Sequence, residues 1–244
     1  MSRHLKTYPA PRFWPIKIKK HEFVIRPNAG PHRLVNSIPL GIVLRDVLGF
    51  AKTVSEAKRI LAEGKVLIDG KVKVDYKLPV GLMDIIYLKP ANAYYRVLPN
   101  NVNELALMKI SAEEASFKLS RVTGKRLLKD KKAQINLHDG RCVVVDVSDS
   151  FNVQIPYRLM DAVKLSLPDG QILEHVPLEA GTYASIIGGT KIGKFGTIKE
   201  MPKSRSPNQL ATVAIGDTET TVMLKYLFPI GKESPIININ GEVT

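Results

Sequence analysis

Cysteine, long apolar runs and acidic residues are all scarce in this 244-residue chain, and each shortage excludes a class of protein. The single cysteine, Cys142, cannot form an internal disulfide, and a cysteine-based zinc site would need partners that the chain lacks. No run approaches the roughly 18 apolar residues of a membrane span. The amino-terminal sequence MSRHLKTYPAPRFWP has no apolar signal core. We therefore expect a soluble protein of a reducing compartment, the cytoplasm, with no membrane association.

Catalytic and metal-binding motifs are missing as well. The histidines form no HExxH pair, and no GxSxG sequence is present. The sequence GGTKIGKF, residues 188–195, fits the P-loop pattern until Phe195, which stands where a P-loop has the Ser or Thr that binds magnesium. Gly196-Thr197-Ile198 follows, which favours a strand over the helix that a phosphate cradle needs. We predict no catalytic residue, no metal site, no cofactor and no ATP binding.

Basic residues, in contrast, are abundant and concentrated. The chain has 36 Lys and Arg against 23 Asp and Glu, a net charge of +13. More than half of this excess lies in residues 1–34, which contain eight basic residues and one acid, Glu22. A surplus of this size attracts polyanions, and nucleic acid is the most common of them.

The segment 1–36 is predicted to be an extended basic arm. Its many prolines disfavour helix, and aromatic residues such as Phe13 and Trp14 alternate with the cations. Cations next to rings suit a partner that offers phosphates and exposed bases. The alternative is that these rings fold back onto the domain. The arm residues that we predict to contact RNA are Arg3, His4, Lys6, Arg12, Trp14, Lys17, Lys19, Lys20, His32 and Arg33.

Residues 37–93 are predicted to form two helices followed by a β-hairpin. Apolar residues recur at helical spacing from Leu40 to Leu48, and Thr53 with Glu56 has the spacing of a capping box for a second helix ending at Gly64. The period then changes to two, and Asp69-Gly70 is the dipeptide of a type I′ hairpin turn. A further strand is predicted over 84–88.

Six cations of this region are predicted to gather on one RNA-binding side. The alternative is that they are scattered, solvated side chains. They are Lys52, Lys58, Arg59, Lys65, Lys71 and Lys73.

The rest of the chain is predicted to be mostly β. Short β-type runs separated by turns begin near residue 140, which suggests a small barrel or a sandwich towards the carboxyl end. The acids of 101–175 are most simply a solvated face. In the Gly-rich loop of 188–194, the glycines permit close approach of a partner, and Lys191 and Lys194 would supply phosphate contacts. A hairpin without a partner is the alternative.

The chain resembles known families in two short stretches and over its whole length. TVSEAKRILAEGKVLIDGKVK, residues 53–73, resembles the S-four RNA-binding domain, which also occurs in pseudouridine synthases and some tRNA synthetases. Residues 183–198 resemble a KOW motif. Over essentially its whole length the chain resembles the small-subunit ribosomal protein family S-four-e. The matching segments are HLK (4–6), APRFW (10–14), GPHR (30–33), LR (44–45), KVLIDGK (65–71), GLMD (81–84) and GGTKIG (188–193).

The resemblance implies an α+β fold with four parts. These are a basic arm (1–36), an S-four-like RNA-binding domain (37–93), a mostly β central domain (94–174) and an SH3-like KOW barrel with terminal strands (175–244). It also implies a structural constituent of the small ribosomal subunit, with small-subunit rRNA and neighbouring ribosomal proteins as partners and no homo-oligomer. Without the basic tail of eukaryotic members, the chain looks archaeal. Thr7 and Tyr8-Pro9 depart from the family pattern.

Two other classes stay open at this point. An RNA-modifying enzyme with the same helix–hairpin module would need an essential Asp in a further large domain, for which the chain has no room. A KOW-type transcription or translation factor would bind its target only transiently.

Overall fold

The computed structural model describes residues 4–19, 21–101, 104–129, 132–146, 156–216 and 218–239. The predicted RNA contacts Arg3 and Lys20 lie outside these residues. Contacts divide the chain into two compact units, within 1–115 and 116–240. Both units are built mainly of strands with few helices, which confirms the α+β class. The finer division into four domains stays a prediction.

The first unit centres on a five-stranded antiparallel sheet with the order β5-β4-β7-β8-β9. Two further antiparallel pairs join β1 with β2 and β3 with β6, and β6 lies between β5 and β7 in the sequence. The elements are β1 (Leu5–Lys6), β2 (Phe23–Val24), β3 (Ser37–Pro39), α1 (Leu40–Ile42), α2 (Val54–Ala62), β4 (Val66–Ile68), β5 (Lys71–Val72), β6 (Pro79–Gly81), β7 (Ile85–Leu88), β8 (Ala93–Asn100) and β9 (Glu104–Ile110).

Local sequence signals account for the helix pair and the hairpin. The Thr53 hydroxyl accepts from the Glu56 N–H at 3.2 Å, and the Glu56 carboxylate accepts from the Thr53 N–H, which confirms the capping box. Asp69 and Gly70 have φ of 50° and 77°, the left-handed pair of a type I′ turn. The first helix differs from the prediction, because α1 widens after one turn into a π-helix over Val43–Val47.

The core of the first unit includes part of the predicted arm. Leu40, Leu44 and Leu61 from the helical region pack with the apolar face of the sheet. Trp14, only 3% exposed, joins this core, and its Nε1 donates to the Ser37 carbonyl at 2.8 Å. Phe13 is buried beside it. These rings therefore fold back onto the domain, and stacking of Trp14 on a base would require the ring to leave the core.

The second unit contains two five-stranded antiparallel sheets, with the orders β12-β11-β10-β13-β14 and β18-β17-β16-β15-β19. The strands are β10 (Phe117–Leu127), β11 (Lys132–Leu137), β12 (Cys142–Asp146), β13 (Ala162–Ser166), β14 (Ile172–Val176), β15 (Tyr183–Ile186), β16 (Phe195–Glu200), β17 (Leu210–Ile215), β18 (Thr218–Met223) and β19 (Leu227–Gly231). The β-type runs predicted after residue 140 are thereby confirmed as strands.

Strand β10 is long enough to serve two partners. Its first half, Phe117 to Arg121, pairs with β13, and its second half, from Val122 to Leu127, pairs with β11. The register shifts between Val122 and Gly124, a β-bulge that bends the strand where it changes partner. The apolar face around this bend, including Val122, Ile135 and Val163, forms a core of its own.

Candidate nucleic-acid interface

The cations on and after α2 are exposed and are positioned by neighbouring side chains. Arg59, whose side chain is 84% exposed, lies one helical turn before Glu63, with its Nε 3.1 Å from Oε1. Lys65 pairs with the same carboxylate. The Nζ of Lys58 lies 4.5 Å from the centre of the Tyr76 ring, a cation–π contact. The end of α2 thus presents three cations held near the protein surface.

Glu63 is the only acid in these contacts, and it stays ionised. The hydrogen bond from Lys65, then the one from Arg59, lowers the pKa of Glu63 below its ordinary value. The carboxylate therefore orients two cations while neutralising only one positive charge. Because all three groups are in water, the pairs add little to stability.

The remaining cations of the predicted S-four surface lie on either side of the helix and hairpin. Lys52 precedes α2, and its backbone N–H donates to Glu56 Oε2 at 2.6 Å, so that its exposed side chain leaves from a capped helix end. Lys71 is exposed on β5, and Lys73 is half-buried just after it. That these cations form one RNA-binding surface together with those of α2 stays a prediction.

A groove of about 440 Å³ brings the arm next to the α2 region. Its lining includes Lys17 and Phe23 from the arm and Arg45 and Lys52 from the helical region. Phe23 is 52% exposed, and the ring of His4 contacts it edge-on at 5.7 Å. Arg45 pairs with Asp46 at 2.7 Å, so the groove combines an exposed ring with the exposed cations Lys17 and Lys52, which are groups that bind single-stranded nucleic acid.

The other arm residues predicted to contact RNA are either exposed or paired with a neighbouring side chain. Lys6 pairs with Glu22 at 3.2 Å, with both side chains 65% exposed. Arg12, Lys19 and Arg33 are exposed.

His32 is instead buried, with its Nε2 2.9 Å from Asp84 Oδ2. Its ring lies so close to Gly81 that a Cβ there would come within 2.4 Å of it. His32 therefore anchors the arm to the domain.

The Gly-rich loop leads into a strand and rests on an aromatic side chain. Gly188 lies against Tyr226, where a Cβ would come within 2.5 Å of the ring, and Gly189 has a φ of 84°. Lys191 and Lys194 are exposed beyond this contact. Phe195 begins β16, so the segment that follows Lys194 is a strand and not the helix of a P-loop.

Sequence reasoning missed four residues that the structure places beside predicted contacts. Tyr76 receives Lys58 and also Lys77, whose Nζ lies 5.6 Å from the ring centre. Lys225 lies 5.0 Å from the ring centre of Tyr226, under the Gly-rich loop. Both aromatic rings stand directly beside a lysine in the sequence, Tyr76-Lys77 and Lys225-Tyr226, and that adjacency was the available signal.

Within the described ranges, no group of three or more His, Cys, Asp or Glu side chains could hold a metal ion. Among the described helices, none is long and apolar enough to cross a membrane.

Comparison with known proteins gives three consecutive matches to family models. Residues 1–35 match the RS4NT (NUC023) domain, residues 40–86 the S4 domain, and residues 91–172 the ribosomal family S4e. The chain is also 46% identical, over 98% of its length and 96% of the relative's, to small ribosomal subunit protein eS4 of Desulfurococcus amylolyticus. The chain belongs to the ribosomal S4e family. This confirms the resemblance predicted from the sequence.

Other members of the S4e family agree with this assignment. The eS4 protein of Staphylothermus marinus is 41% identical over 97% of this chain and 95% of its own length. The crystal structure of the 30S ribosomal protein S4e from Thermoplasma acidophilum has a TM-score of 0.66 and 31% identity. The match covers 81% of this chain and 96% of the Thermoplasma acidophilum chain. Membership of this ribosomal family identifies a structural protein and not an enzyme.

Proposed function

We propose that this S4e protein is a structural constituent of the small ribosomal subunit in the cytoplasm, where it binds and stabilises small-subunit rRNA. The observation that carries the proposal is the exposed cationic end of α2, with Lys58, Arg59 and Lys65, within the segment that matches the S4 domain. The relatives are named as small ribosomal subunit proteins, which supports the same assignment.

The mechanism is neutralisation of phosphates. Each Lys or Arg that contacts a phosphate releases a condensed counterion, so that affinity falls as salt rises, with a slope that grows with the number of contacts. The arm residues Arg3, His4, Lys6, Arg12, Lys17, Lys19, Lys20 and Arg33 and the S4-domain residues Lys52, Lys58, Arg59, Lys65, Lys71 and Lys73 supply the rRNA contacts. His32 acts by holding the arm in place through Asp84.

A second contact comes from the loop between β15 and β16. We infer that β15 to β19 form an SH3-like barrel of the KOW type, which is supported by the antiparallel order of the five strands and by the Gly-rich loop at Gly188 and Gly189. Lys191 and Lys194 reach rRNA from this loop. Neighbouring small-subunit proteins are the other partners, and the protein works as a single copy.

The test is fractionation of a cell lysate on a sucrose gradient in high salt, with the protein followed by immunoblot. We expect stoichiometric co-migration with the small subunit after the wash. Recovery at the top of the gradient would contradict the proposal and would identify a transient translation or transcription factor instead.

A further inference from the structure

A third cluster of cations lies in the hairpin of β10 and β11, outside every surface discussed above. Residues 125–132 contain five Lys or Arg and one Asp, Asp130. Four of these cations, Lys125, Arg126, Lys129 and Lys132, belong to the described residues, and all four are exposed. We call these four side chains the hairpin cluster.

The other cations near these strands are engaged by the protein itself. The Nζ of Lys118 lies 3.1 Å from Asp139 Oδ2, with both side chains 1% exposed. Arg121 donates to the carbonyls of Lys225 and Leu227 at 2.8 and 3.0 Å.

Two more cations of the second unit are also held by neighbouring side chains. The Nζ of Lys164 lies 4.2 Å from the centre of the Phe117 ring, and Arg158 pairs with Glu179 at 3.4 Å. Across the part of the chain that the structure describes, the hairpin cluster makes no ion pair and no side-chain hydrogen bond. Lys132 lies opposite Asp146 of β12 in the strand register, whereas the charges of Lys125, Arg126 and Lys129 are available to a partner.

The hairpin that carries the cluster is part of the sheet, with β11 lying between β10 and β12. Ala133 and Ile135 of β11 are buried, whereas β10 is exposed from Lys125 to Leu127. The turn is closed by the Leu128 N–H, which donates to the Lys132 carbonyl at 2.8 Å. The supporting strand is thus fixed while the side chains of β10 face outward.

Strand geometry spreads the cluster over both faces of the hairpin. Arg126 is paired with Gln134, and successive side chains point to opposite faces, so Arg126 and Lys132 share one face and Lys125 lies on the other. Leu127 and Leu128, 54% and 40% exposed, lie between these cations. Lys125 lies on the same face as the buried Ala133 and Ile135 but is itself exposed, and the opposite face carries Arg126 and Lys132. These exposed cations can lie along a phosphate backbone.

The chemistry of the cluster fits RNA better than protein. Lysine and acidic residues are depleted at the centres of protein interfaces, where buried charge is costly, whereas phosphate backbones are bound mainly by Lys and Arg. We propose that the β10–β11 hairpin is a separate rRNA-binding surface, in which the hairpin cluster contacts rRNA phosphates. This proposal rests on the proposed function, because it names a further surface for the same rRNA.

The test compares two full-length double variants with the same change in net charge. Lys125→Glu with Arg126→Glu reverses the hairpin cluster, and Lys203→Glu with Lys232→Glu reverses two exposed lysines elsewhere in the second unit. Binding to small-subunit rRNA is measured at several salt concentrations. We expect the hairpin variant to bind about tenfold more weakly than the control at fixed salt, and its slope of log affinity against log salt to fall by roughly 1.5 to 2.

Three further measurements keep the outcomes distinct. The charge-preserving variant Lys125→Arg with Arg126→Lys should bind as the unmodified protein does. If the reversal lowers the melting temperature, Lys125→Gln with Arg126→Gln replaces it, with a smaller expected loss. Incorporation of both variants into small subunits is followed on sucrose gradients.

The results that would contradict the proposed function differ from those that would contradict the hairpin proposal alone. Failure of the unmodified protein to bind rRNA would overturn the proposed function and the hairpin proposal together. Equal binding by the hairpin variant and the control, with normal binding by the unmodified protein, would overturn the hairpin proposal alone. Equal rRNA binding with loss of the hairpin variant from small subunits would also overturn it, and would identify a protein partner for the hairpin.

Discussion

Lysine side chains in the two units have the same charge but opposite surroundings. Lys58 in the first unit is exposed, with its ammonium over the half-buried ring of Tyr76. Lys118 in the second unit is 1% exposed and lies 3.1 Å from an equally buried Asp139. The first arrangement leaves the charge available to a polyanion, whereas the second uses it to satisfy a buried carboxylate. The number of cations in a segment therefore says little about RNA binding until their burial is known.

The largest effect should come from breaking the buried pair. Lys118→Met leaves the Asp139 carboxylate buried without its ammonium, so we expect the free energy of unfolding of the second unit to fall by about 3–5 kcal/mol. The matched control Lys58→Met removes an exposed ammonium and should change it by less than about 0.5 kcal/mol. Urea denaturation measures both. Similar losses of unfolding free energy in the two variants would mean that the burial of a lysine does not determine its contribution to stability.

A smaller loss of stability is expected from the anchored ring of the arm. Trp14→Phe keeps an aromatic ring but removes the donor to the buried Ser37 carbonyl, which should lower the free energy of unfolding by about 1–3 kcal/mol. Tyr8→Phe, at a side chain that is 91% exposed, is the control and should have almost no effect. A variant that lost rRNA affinity without losing stability would show that Trp14 meets RNA and not the core.

The exposed cations should affect binding and not stability. Lys58→Glu with Arg59→Glu is expected to weaken binding to small-subunit rRNA severalfold, up to about tenfold, because phosphate contacts become repulsions. Lys89→Glu with Lys109→Glu changes the net charge of the first unit equally at other exposed positions and is the control. Filter binding at fixed salt measures the ratio. Equal affinities for the two variants would place the binding surface elsewhere.

The smallest effect is a pH dependence of the Lys118→Met loss. Burial, the largest influence, raises the pKa of Asp139, but the charges of Lys118 and His138 and the hydrogen bonds from Lys118 and Arg141 outweigh it and lower the pKa overall. Because the pKa of Asp139 is lower in the folded protein than its unfolded value of about 3.9, the ionised carboxylate stabilises the fold at pH values above the unfolded pKa. This contribution is lost as pH falls through the folded pKa.

In Lys118→Met the folded pKa of Asp139 should be higher than in the unmodified protein, because only His138 and Arg141 still oppose the effect of burial. Protonation at falling pH then relieves more of the penalty of the buried charge. The difference in unfolding free energy between the two proteins should therefore be largest at neutral pH and shrink towards pH about 4. Denaturation at several pH values measures it, and a constant difference would contradict the assignment.

Local signals in the sequence predicted local structure well. The capping box of Thr53 and Glu56 and the turn of Asp69-Gly70 each depend on residues at most three positions apart, and both are present. The burial of Trp14 depends on Ser37, 23 positions away, and no periodicity in the arm signals it. The strands β8 and β9 lie in the region predicted to be mostly β, but their pairing with β7 to complete the first sheet was likewise not predicted from the sequence.

The hairpin cluster was missed for a different reason. The charge of residues 101–175 is nearly balanced as a whole, with eleven Lys and Arg against ten Asp and Glu. In the fold two of these acids, Asp139 and Asp161, are buried against other cations, Lys118 and Arg205, and do not screen the hairpin, whereas Asp146 lies opposite Lys132. The net charge of the whole segment therefore does not reveal the hairpin cluster, which becomes evident only when the buried ion pairs are known.

The change of partner along β10 also sets an order of events during synthesis. The second half of the strand can pair with β11 across a short turn within microseconds. The first half must wait for β13, which follows the end of β10 by about 35 residues, or roughly 2–7 seconds at 5–20 residues per second. During that interval the edge from Phe117 to Arg121 has no strand beside it. A nascent chain paused before Ser166 would therefore display a half-formed sheet, open to pairing with the wrong strand.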